Sequence, residues 1–335
     1  MRVLGTIVVA VFALAAAVVT WPQAFRLERE FPIAQIAALR PALVAVFAAV
    51  ALLFLLFAIG RRTRLFCASI AIVSLLAAGV GGATLATRGL GTEALPEKGE
   101  GDIRVMTWNT AGEATDPDLV AQTAVAMQAD IVALPETTIS TGESVAIAMR
   151  ERGRPMWAHD EFYEGWDANS TALLISPDLG GYAVVESESG GTSNTTIVPS
   201  VVAMPVDGQG PVVVAVHAVA PRPDDMDGWR SDLQWLADQC ASDDVIMAGD
   251  FNATLDHMAR LGVDDADLGR CYDAASRTGN GAVGTWPIDV PGIAGVPIDH
   301  VMATSAWTAE GSIVLDSLDG AGSDHRPIVV QYSRR

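Results

Sequence analysis

Two short segments place a carboxylate beside a second polar group, each next to an apolar run typical of a buried strand. Gly249–Asn252 reads Gly-Asp-Phe-Asn, and Ser323–Arg326 reads Ser-Asp-His-Arg. A carboxylate can hold a hard cation or orient an imidazole, and an imidazole can take up or release a proton. Aspartate and histidine at strand ends are therefore the minimal set for metal-assisted attack of water on a phosphoester.

Further polar residues follow the points where apolar strands stop, the positions from which a rigid scaffold presents functional side chains. They are Asn109, Glu136, His217, Asp299 and His300. A divalent metal such as Mg²⁺ takes oxygen ligands, commonly one or two carboxylates together with water and substrate phosphate. Glu136 is the leading candidate ligand, with Asn109 and either Asp299 or Asp324 as helpers.

Hydrolysis of a phosphodiester also needs a water made nucleophilic in line with the leaving oxygen. The carboxylate of Asp250 could accept the proton of that water. His325 or His217 could stabilise the charged phosphorane or protonate the leaving group.

The same residues also allow structural interpretations. Asp250 could be a turn residue or a helix cap, and Asp299 could merely cap a strand. A lone histidine such as His217 at the end of an apolar strand is commonly a hydrogen-bonded structural residue. The remaining histidines are expected to be structural or surface residues: His159, His257 and His300.

From residue 103 onward, apolar runs alternate with segments of helical periodicity. One helix is predicted from Asp116 to about Gln128 and another at Asp227–Cys240. Strands are predicted at Ile103–Trp108, Asp130–Leu134, Thr171–Ser176, Tyr182–Glu186, Thr196–Val206, Val212–His217, Val245–Ala248, Ile298–Ala303, Ser312–Leu318 and Ile328–Tyr332. Many strands joined by short turns favour an α/β (α+β) fold with mostly antiparallel pairing.

Six segments resemble the motifs of the endonuclease/exonuclease/phosphatase superfamily, which has a DNase I-like fold. They are Met106–Asn109, Leu134–Glu136, His217, Gly249–Asn252, Ile298–His300 and Ser323–Pro327, in the order of the family. That group includes DNase I-like nucleases, apurinic endonucleases, sphingomyelinases and inositol polyphosphate phosphatases. The resemblance covers the chain from residue 103 onward and none of the part before it.

The resemblance implies a four-layer α/β/β/α sandwich, with two mostly antiparallel sheets face to face and helices outside. It implies that Glu136, helped by Asn109, binds the metal: Mg²⁺, with Mn²⁺ or Ca²⁺ as alternatives. Asp250 would orient or deprotonate the attacking water, and Asn252 would contact the phosphate.

It also implies that His325 is the catalytic histidine and that Asp299 and Asp324 orient histidines or support the metal. His217 falls where DNase-like and sphingomyelinase-like members carry a second histidine, which implies a two-histidine site. The sequence does not identify the acidic partner of His217. The candidates are Glu164 and Asp167.

The N-terminal part of the chain contains three long apolar runs: Val3–Thr20, Ile33–Ile59 and Leu65–Ala86. A membrane-spanning helix needs about 20 apolar residues, so residues 1–87 are predicted to be an anchor of about three transmembrane helices. The first run could instead be a signal peptide. Residues 88–102 are rich in Gly, Pro and Glu and are predicted to be a linker, which leaves 103–335 as the catalytic domain.

Basic residues in short loops indicate how such an anchor is oriented, because cytoplasmic loops are enriched in Lys and Arg. Arginines crowd the turn before the third run and occur at the start of the chain: Arg61, Arg62, Arg64 and Arg2. They predict an internal N-terminus and, after three spans, a catalytic domain outside. The first loop argues the other way, since it carries Arg26, Arg29 and Arg40. A cytoplasmic domain is therefore the alternative.

The charge of the C-terminal part limits its partners. Residues 88–335 carry 14 basic and 38 acidic side chains, a net charge of −24, and Lys98 is the only lysine in the chain. Such a surface repels DNA and anionic lipid at long range. It does not exclude a phosphorylated substrate, because a bound divalent metal can supply local positive charge. Alternatively, the acidity only keeps an exported domain soluble.

The cysteines leave one question open. Cys67 lies in the third apolar run and is expected to be a packing residue. Cys240 and Cys271 could form a disulfide if the domain is extracytoplasmic, but two cysteines do not establish it.

Two classes of function follow. The first is a membrane-tethered, divalent-metal-dependent phosphohydrolase, most simply a phosphodiesterase. The second is a non-catalytic membrane-anchored binding or scaffold module that retains the fold. All the acids, amides and histidines that the chemistry needs are present, which favours the enzyme.

The substrate is undetermined among nucleic acid, a phospholipid headgroup and a small phosphodiester, and no specific protein partner can be inferred. Tethering through a lipid bilayer favours a phospholipid-type or small substrate. Arg150, Arg152 and Arg154 form the only dense cationic group in the sequence of the catalytic domain and are expected at a helix end. Trp286 is expected in the core, although it could instead form a wall of the site. Two loop tryptophans could line a substrate groove or pack on their own domain. The loop candidates are Trp157 and Trp166.

Overall fold

The computed structural model describes residues 2–60, 63–91, 94–112, 114–165, 169–185 and 194–335. The chain forms two compact units, Met1–Thr87 and Arg88–Arg335. Some predictions fall outside the described residues: those on Arg61, Arg62, Trp166 and Asp167 and on the end of a strand at Glu186.

The N-terminal unit is helical. Its helices are α1 Arg2–Thr20, α2 Ile33–Ala38, α3 Arg40–Phe57 and α4 Arg64–Arg88. All but α2 are long and apolar enough to cross a membrane. The second apolar run is divided between α2 and α3, since Pro41 occupies the first turn of α3, where its missing N–H costs nothing. Cys67 is buried within α4 as a free thiol.

The C-terminal unit contains two six-stranded sheets. Its strands are β1 Ile103–Thr107, β2 Ile131–Pro135, β3 Trp157–Phe162, β4 Ser170–Ile175, β5 Tyr182–Val184, β6 Val201–Pro205, β7 Val212–His217, β8 Val245–Asp250, β9 Cys271–Asp273, β10 Asp299–Thr304, β11 Trp307–Val314 and β12 Ile328–Arg334. Its helices are α5 Pro117–Ala126, α6 Ile139–Glu151, α7 Met226–Gln239, α8 Leu255–Met258 and α9 Ala274–Arg277.

The two sheets share one pairing pattern. The first has the order β11-β12-β1-β2-β4-β3 and the second the order β5-β6-β7-β8-β10-β9. In each sheet the two central strands are parallel, β1 with β2 and β7 with β8. Every other pair is antiparallel. The carboxyl ends of β1 and β2 therefore lie together at one edge of the first sheet. Those of β7 and β8 lie together at one edge of the second sheet.

The packing of the core explains why the central strands have continuous apolar sequences rather than alternating apolar and polar residues. Val105 and Ile131 pack between the sheets, whereas the next residues, Met106 and Val132, pack in a second cluster with α5 and α6. Both faces of a central strand are thus buried. The predicted four-layer sandwich is confirmed, with mixed but mostly antiparallel sheets between helices.

Several predicted boundaries were wrong. The strand predicted at Ser312–Leu318 ends at Val314, and Asp316–Leu318 is a short 3-10 helix. The strand instead begins at Trp307 and has a bulge between Ala309 and Gly311, which interrupts the periodicity. Of Thr196–Val206, only Val201–Pro205 forms a strand.

Five helices and strands of the C-terminal unit were not predicted, namely α6, α8, α9, β3 and β9. Trp157 begins β3 rather than lying in a loop. The arginine group does lie at a helix end: α6 ends at Glu151, Arg152 pairs with Asp118 at 2.7 Å, and Arg154 pairs with Asp130 at 2.9 Å.

Residues 94–102 of the segment predicted as a linker pack on the first sheet, whereas Arg88 pairs with Asp256 at 2.8 Å. Lys98 pairs with Asp130, and the Gln331 side-chain amide donates to the carbonyl of Glu97 at 3.1 Å. Arg104 Nη2 donates to the carbonyl of Pro96 at 2.8 Å. This stretch therefore has fixed partners in the C-terminal unit.

Candidate active site

The predicted site residues meet at one end of the sandwich because of strand register. Asp250 is the last residue of β8 and lies opposite His217 on β7 and Asp299 on β10. Glu136 directly follows β2, and Asn109 lies two residues beyond β1. His325 precedes β12, whose first residue pairs with the last residue of β1. Both sheets thus contribute to one cluster.

Asp250 is buried at the centre of this cluster. Its Oδ1 accepts a hydrogen bond from the Asn252 backbone N–H at 2.8 Å, and its Oδ2 accepts one from Asn109 Nδ2 at 3.1 Å. Burial and the charge of Asp299 raise the pKa of Asp250 to about 7, although His325 and these hydrogen bonds oppose the rise. Asp250 can therefore exchange a proton near neutral pH.

The residue before Asp250 must be glycine. A Cβ on Gly249 would lie 1.9 Å from the carbonyl oxygen of Val216 on the neighbouring strand. The close approach of β7 and β8 thus explains one residue of the Gly-Asp-Phe-Asn segment by packing alone.

Glu136 and Asn109 form the second part of the cluster. Glu136 has a left-handed backbone conformation, with φ of 55°, which non-glycine residues adopt mainly where surrounding structure enforces it. Its Oε1 accepts a hydrogen bond from Asn109 Nδ2 at 3.0 Å. Since the same amide donates to Asp250, Asn109 bridges two carboxylates from different sheets.

His325 and Asp299 form a buried pair. His325 Nδ1 lies 2.9 Å from Asp299 Oδ2, and Nε2 lies 3.9 Å from both Asp250 Oδ2 and Asp324 Oδ1. Burial opposes the charged imidazolium, but Asp299, Asp250 and Asp324 together raise the pKa of His325 to about 10. His325 is therefore positively charged at neutral pH.

The donor chemistry of the cluster fits a hard divalent cation. Asp250 and Asp299 each offer a carboxylate oxygen, and these lie within 4.8 Å of each other and of a ring nitrogen of His325, which is itself no ligand while the imidazole is charged. The Oδ1 of Asp299 is buried and has no hydrogen-bond partner among the described residues. In that part of the chain no Arg or Lys pairs with these carboxylates or with Glu136, so a cation would offset their repulsion.

His217 differs from His325 in its electrostatics. Its Nε2 lies 3.9 Å from Glu136 Oε1, and its Nδ1 is buried without a hydrogen-bond partner in the described part of the chain. Burial and the charge of His325 lower its pKa to about 3, so this imidazole is neutral. Glu164, one candidate partner, does not hydrogen-bond to Nδ1.

Asn252 and Asp324 border the cluster. Asn252 Nδ2 donates to the carbonyl of Ala218 at 2.9 Å and lies 3.3 Å from Asp250 Oδ2. The Asp324 side chain is 59% exposed, and its Oδ2 accepts a hydrogen bond from Trp286 Nε1 at 3.0 Å. Trp286 thus lies at the rim of the site rather than in the core.

Residues outside the prediction hold the cluster in place. Ser323 Oγ donates to the carbonyl of Asn109 at 2.6 Å and accepts from the His325 backbone N–H at 2.9 Å. Thr285 Oγ1 accepts from the backbone N–H of Asp299 at 3.1 Å. Ser323 lay within a recognised motif, but its sequence gave no sign of the contact with Asn109, 214 residues away.

The family matches the geometry of this site. The endonuclease/exonuclease/phosphatase family matches the chain over residues 106–325, which begin in β1 and end at His325. The chain belongs to this family. Its members hydrolyse phosphoesters and generally use divalent metals, and residues 106–325 include every predicted site residue. No curated protein sequence matches the chain.

Solved structures share the family fold. An endonuclease/exonuclease/phosphatase from Beutenbergia cavernae DSM 12333 matches with a TM-score of 0.54 and 19% identity, over 70% of this chain and 72% of that chain. Humanized D. rerio TDP2 matches with a TM-score of 0.53 and 17% identity, over 70% of this chain and 99% of that chain. D. rerio TDP2 complexed with a single-strand DNA product matches with a TM-score of 0.51 and 18% identity, over 69% of this chain and 99% of that chain. These likenesses show the fold alone.

Proposed function

We propose that this member of the endonuclease/exonuclease/phosphatase family is a membrane-tethered, divalent-metal-dependent phosphohydrolase, most simply a phosphodiesterase. The observation that carries the proposal is the Asp299–His325 pair, whose free Nε2 faces Asp250 at 3.9 Å. A charged imidazole and a carboxylate with a pKa of about 7 then lie side by side at the end of the strands.

The two groups have complementary tasks. Asp250 accepts a proton from the attacking water, helped by Asn109 and Asn252, which fix the orientation of its carboxylate. His325 carries a positive charge that stabilises negative charge on the phosphorane, and it can release a proton to the leaving oxygen. Asp299 keeps the imidazole oriented, with its second nitrogen toward the substrate.

Glu136, with Asn109 and with Asp299 or Asp324, would hold the metal: Mg²⁺, with Mn²⁺ or Ca²⁺ as alternatives. The cation supplies positive charge beside the phosphate. His217 is neutral, so it contributes a hydrogen bond rather than a charge. Asn252 contacts a phosphate oxygen, and Asp324 supports the charge of His325 from the rim.

We further propose that residues 1–87 anchor the chain in a cell membrane and that the catalytic domain lies outside the cytoplasm. Large apolar side chains are exposed on the long helices, for example Leu14, Leu56 and Leu76, which suits contact with lipid. The disulfide between Cys240 and Cys271 supports an oxidising compartment.

The substrate remains a phosphoester in nucleic acid, a phospholipid headgroup or a small phosphodiester. A TDP2 of the same fold was solved with a single-strand DNA product, but the acidic surface of this chain disfavours a long polyanion. A small or lipid phosphodiester at the bilayer surface is therefore the first choice.

The test uses the full chain in nanodiscs with bis(p-nitrophenyl) phosphate, single-stranded DNA, sphingomyelin and glycerophospholipids, each with Mg²⁺, Mn²⁺, Ca²⁺ or chelator. We expect metal-dependent turnover that falls by about 10²–10⁴-fold in His325→Ala and in Asp250→Asn. The control variant His159→Asn removes a histidine of β3, away from the cluster. A folded, metal-binding chain without turnover on any of these substrates would instead support a non-catalytic module.

A further inference from the structure

A cavity lies at the opposite end of the sandwich from the candidate active site. It is bordered by Ala303 near the end of β10, Trp307 at the start of β11 and Tyr332 near the end of β12. Because β10 starts at Asp299 in the site, roughly 14 Å of extended strand separates Asp299 from Ala303. Nothing in the proposed mechanism uses this cavity.

The lining of the cavity is cationic and aromatic. Its volume is about 240 Å³, and it is lined by Tyr272, Arg277, Trp307, Tyr332 and Arg335, together with the hydroxyls of Ser305 and Thr308 and three alanines. No carboxylate side chain belongs to this lining in the described part of the chain, although the whole chain carries a net charge of −19. A cavity of this composition differs from its acidic surroundings.

The two arginines have hydrogen-bond donors to spare. The Arg277 guanidinium lies 4.5 Å from the ring centroid of Tyr272 and makes no hydrogen bond or ion pair within the described residues. Arg335 Nε donates to Thr308 Oγ1 at 2.9 Å, which leaves its terminal nitrogens. A guanidinium has five N–H donors in a planar fork that matches carboxylate and phosphate oxygens.

Asp244, an acidic group in contact with the aromatic wall, is already engaged. Asp244 accepts hydrogen bonds from Trp307 Nε1 at 2.8 Å and from Arg334 Nη2 at 2.7 Å. The Arg334 guanidinium also stacks 5.3 Å from the Trp307 ring centroid. Asp244 is therefore paired with Arg334. Burial raises the pKa of Asp267 and the charge of Arg277 opposes that rise, so Arg277 has an acidic neighbour, but its N–H donors and the terminal nitrogens of Arg335 are left for a ligand.

We propose that this cavity binds a small oxyanion that carries a planar or apolar group. The oxyanion, a carboxylate or a phosphoryl group, pairs with Arg277 and Arg335, and the planar part packs against Tyr272, Trp307 and Tyr332. Binding pockets for larger ligands usually measure about 300–1,000 Å³, so about 240 Å³ suits a ligand of one ring. The site is independent of the proposed hydrolysis.

The test is calorimetric titration of the full chain with benzoate and with phenylphosphonate, whose carbon–phosphorus bond is not a phosphoester. Inorganic phosphate and neutral benzamide probe the two halves of the ligand separately. Chelator is present throughout, and Asp250→Asn is titrated in parallel, so that binding at the active site is recognised. We expect saturable binding of at least one aromatic anion that weakens with added salt.

Matched variants locate the binding. Arg277→Gln is expected to weaken binding about tenfold or more, because it removes a charge-assisted hydrogen bond. Arg152→Gln, which removes an exposed arginine from the end of α6, should leave binding unchanged. Ala309→Leu fills the cavity, keeps both arginines and should abolish binding. Thermal unfolding checks that each variant is folded.

The proposal is overturned if neither aromatic anion binds saturably, or if benzamide binds as well as benzoate does. It is also overturned if folded Arg277→Gln and Ala309→Leu bind like the parent, or if Asp250→Asn alone abolishes binding. None of these outcomes depends on whether the chain hydrolyses phosphoesters.

Discussion

Two buried histidine–aspartate pairs lie side by side in this molecule, and they differ in whether the second ring nitrogen of the histidine is engaged. His325 Nδ1 lies 2.9 Å from Asp299, and His300 Nδ1 lies 2.8 Å from Asp273. The difference is at the other ring nitrogen. His300 Nε2 is hydrogen-bonded to the carbonyl of Ala253 at 2.9 Å, whereas His325 Nε2 lies 3.9 Å from its nearest carboxylates. A histidine with both nitrogens satisfied is a structural element.

The two pairs are separated by the pleat of one strand. Asp299 and His300 are successive residues of β10, so their side chains point to opposite faces of the sheet. Val301, two residues after Asp299, packs between the sheets, and Asp299 on that face meets His325. His300 points to the other face, where Asp273 of β9 lies opposite Met302. Two pairs of the same residue types therefore have different surroundings, and the face of β10 on which each pair lies decides which surroundings it has.

Replacing each of the two histidines by asparagine is expected to give the largest difference between the two pairs. His325→Asn is expected to lower kcat/KM by about 10²–10⁴-fold through loss of a charged acid–base group. His300→Asn is expected to lower the free energy of unfolding by about 3–5 kcal/mol, because the buried carboxylate of Asp273 loses its charged partner and, among the described residues, keeps only the backbone N–H of Ser276. Steady-state kinetics and urea unfolding of both variants separate the two effects.

The outcome that contradicts this division is specific. If folded His300→Asn loses as much activity as His325→Asn, the second pair also serves the chemistry. If His325→Asn unfolds as readily as His300→Asn, then the first pair is structural. We expect His325→Asn to be folded and inactive. We expect His300→Asn to be less stable, with an unchanged activity per folded molecule.

The sequence predicts the first pair better than the second. Asp299 and His325 lie in segments of recognisable composition, Ile298–His300 and Ser323–Pro327, next to long apolar strands. His300 was expected to be structural or a surface residue, but its partner Asp273 could not be predicted, since it lies on the three-residue β9. Short strands carry too little periodicity to be recognised, and pairings between distant segments depend on the assembled sheet.

The same reasoning explains the other gaps. The long buried strands and α7 were predictable because apolar runs and helical spacing are local signals. The edge strand β3 was not, since its six residues are only partly buried or exposed and include His159, Asp160 and Glu161. A disulfide likewise depends on a distance that no local pattern encodes, here 5.7 Å between the Cα atoms of Cys240 and Cys271.

The disulfide between Cys240 and Cys271 tests the difference between the two histidine–aspartate pairs through a smaller change in the free energy of unfolding. It joins the C-cap of α7 to the first residue of β9, the strand that carries Asp273. Closing a loop with a sequence separation of 31 residues should stabilise the fold by about 3–4 kcal/mol. Urea unfolding of Cys240→Ala/Cys271→Ala, compared with the parent under oxidising conditions, measures this loss.

Because β9 supports the structural pair and not His325, kcat/KM of the folded double variant should stay close to that of the parent at 25 °C. Cys67→Ala is the matched control, since it removes the one free cysteine of the described chain without touching the C-terminal unit. A double variant of unchanged stability would mean that β9 is held by its pairing with β10 alone.

The smallest effect concerns pH. Asp299 is the chief cause of the raised pKa of His325, about 10, so Asp299→Asn should lower that pKa by about 1–2 units. The charged imidazole is the form needed in the proposed mechanism, and the rate falls as pH rises through its pKa. The alkaline limb of kcat/KM should therefore move to lower pH in Asp299→Asn. Profiles of variant and parent in the same metal ion measure the shift.

Asp273→Asn is the internal control for that profile. Burial opposes the charged form of His300, but the hydrogen bond and charge of Asp273 raise its pKa above the ordinary value. Loss of Asp273 therefore removes stability that is present at low pH and is otherwise lost as pH rises through the folded-state pKa of His300. It should leave the alkaline limb of activity in place. If both variants move that limb equally, the two pairs titrate as one network, and the face of β10 does not separate structure from chemistry.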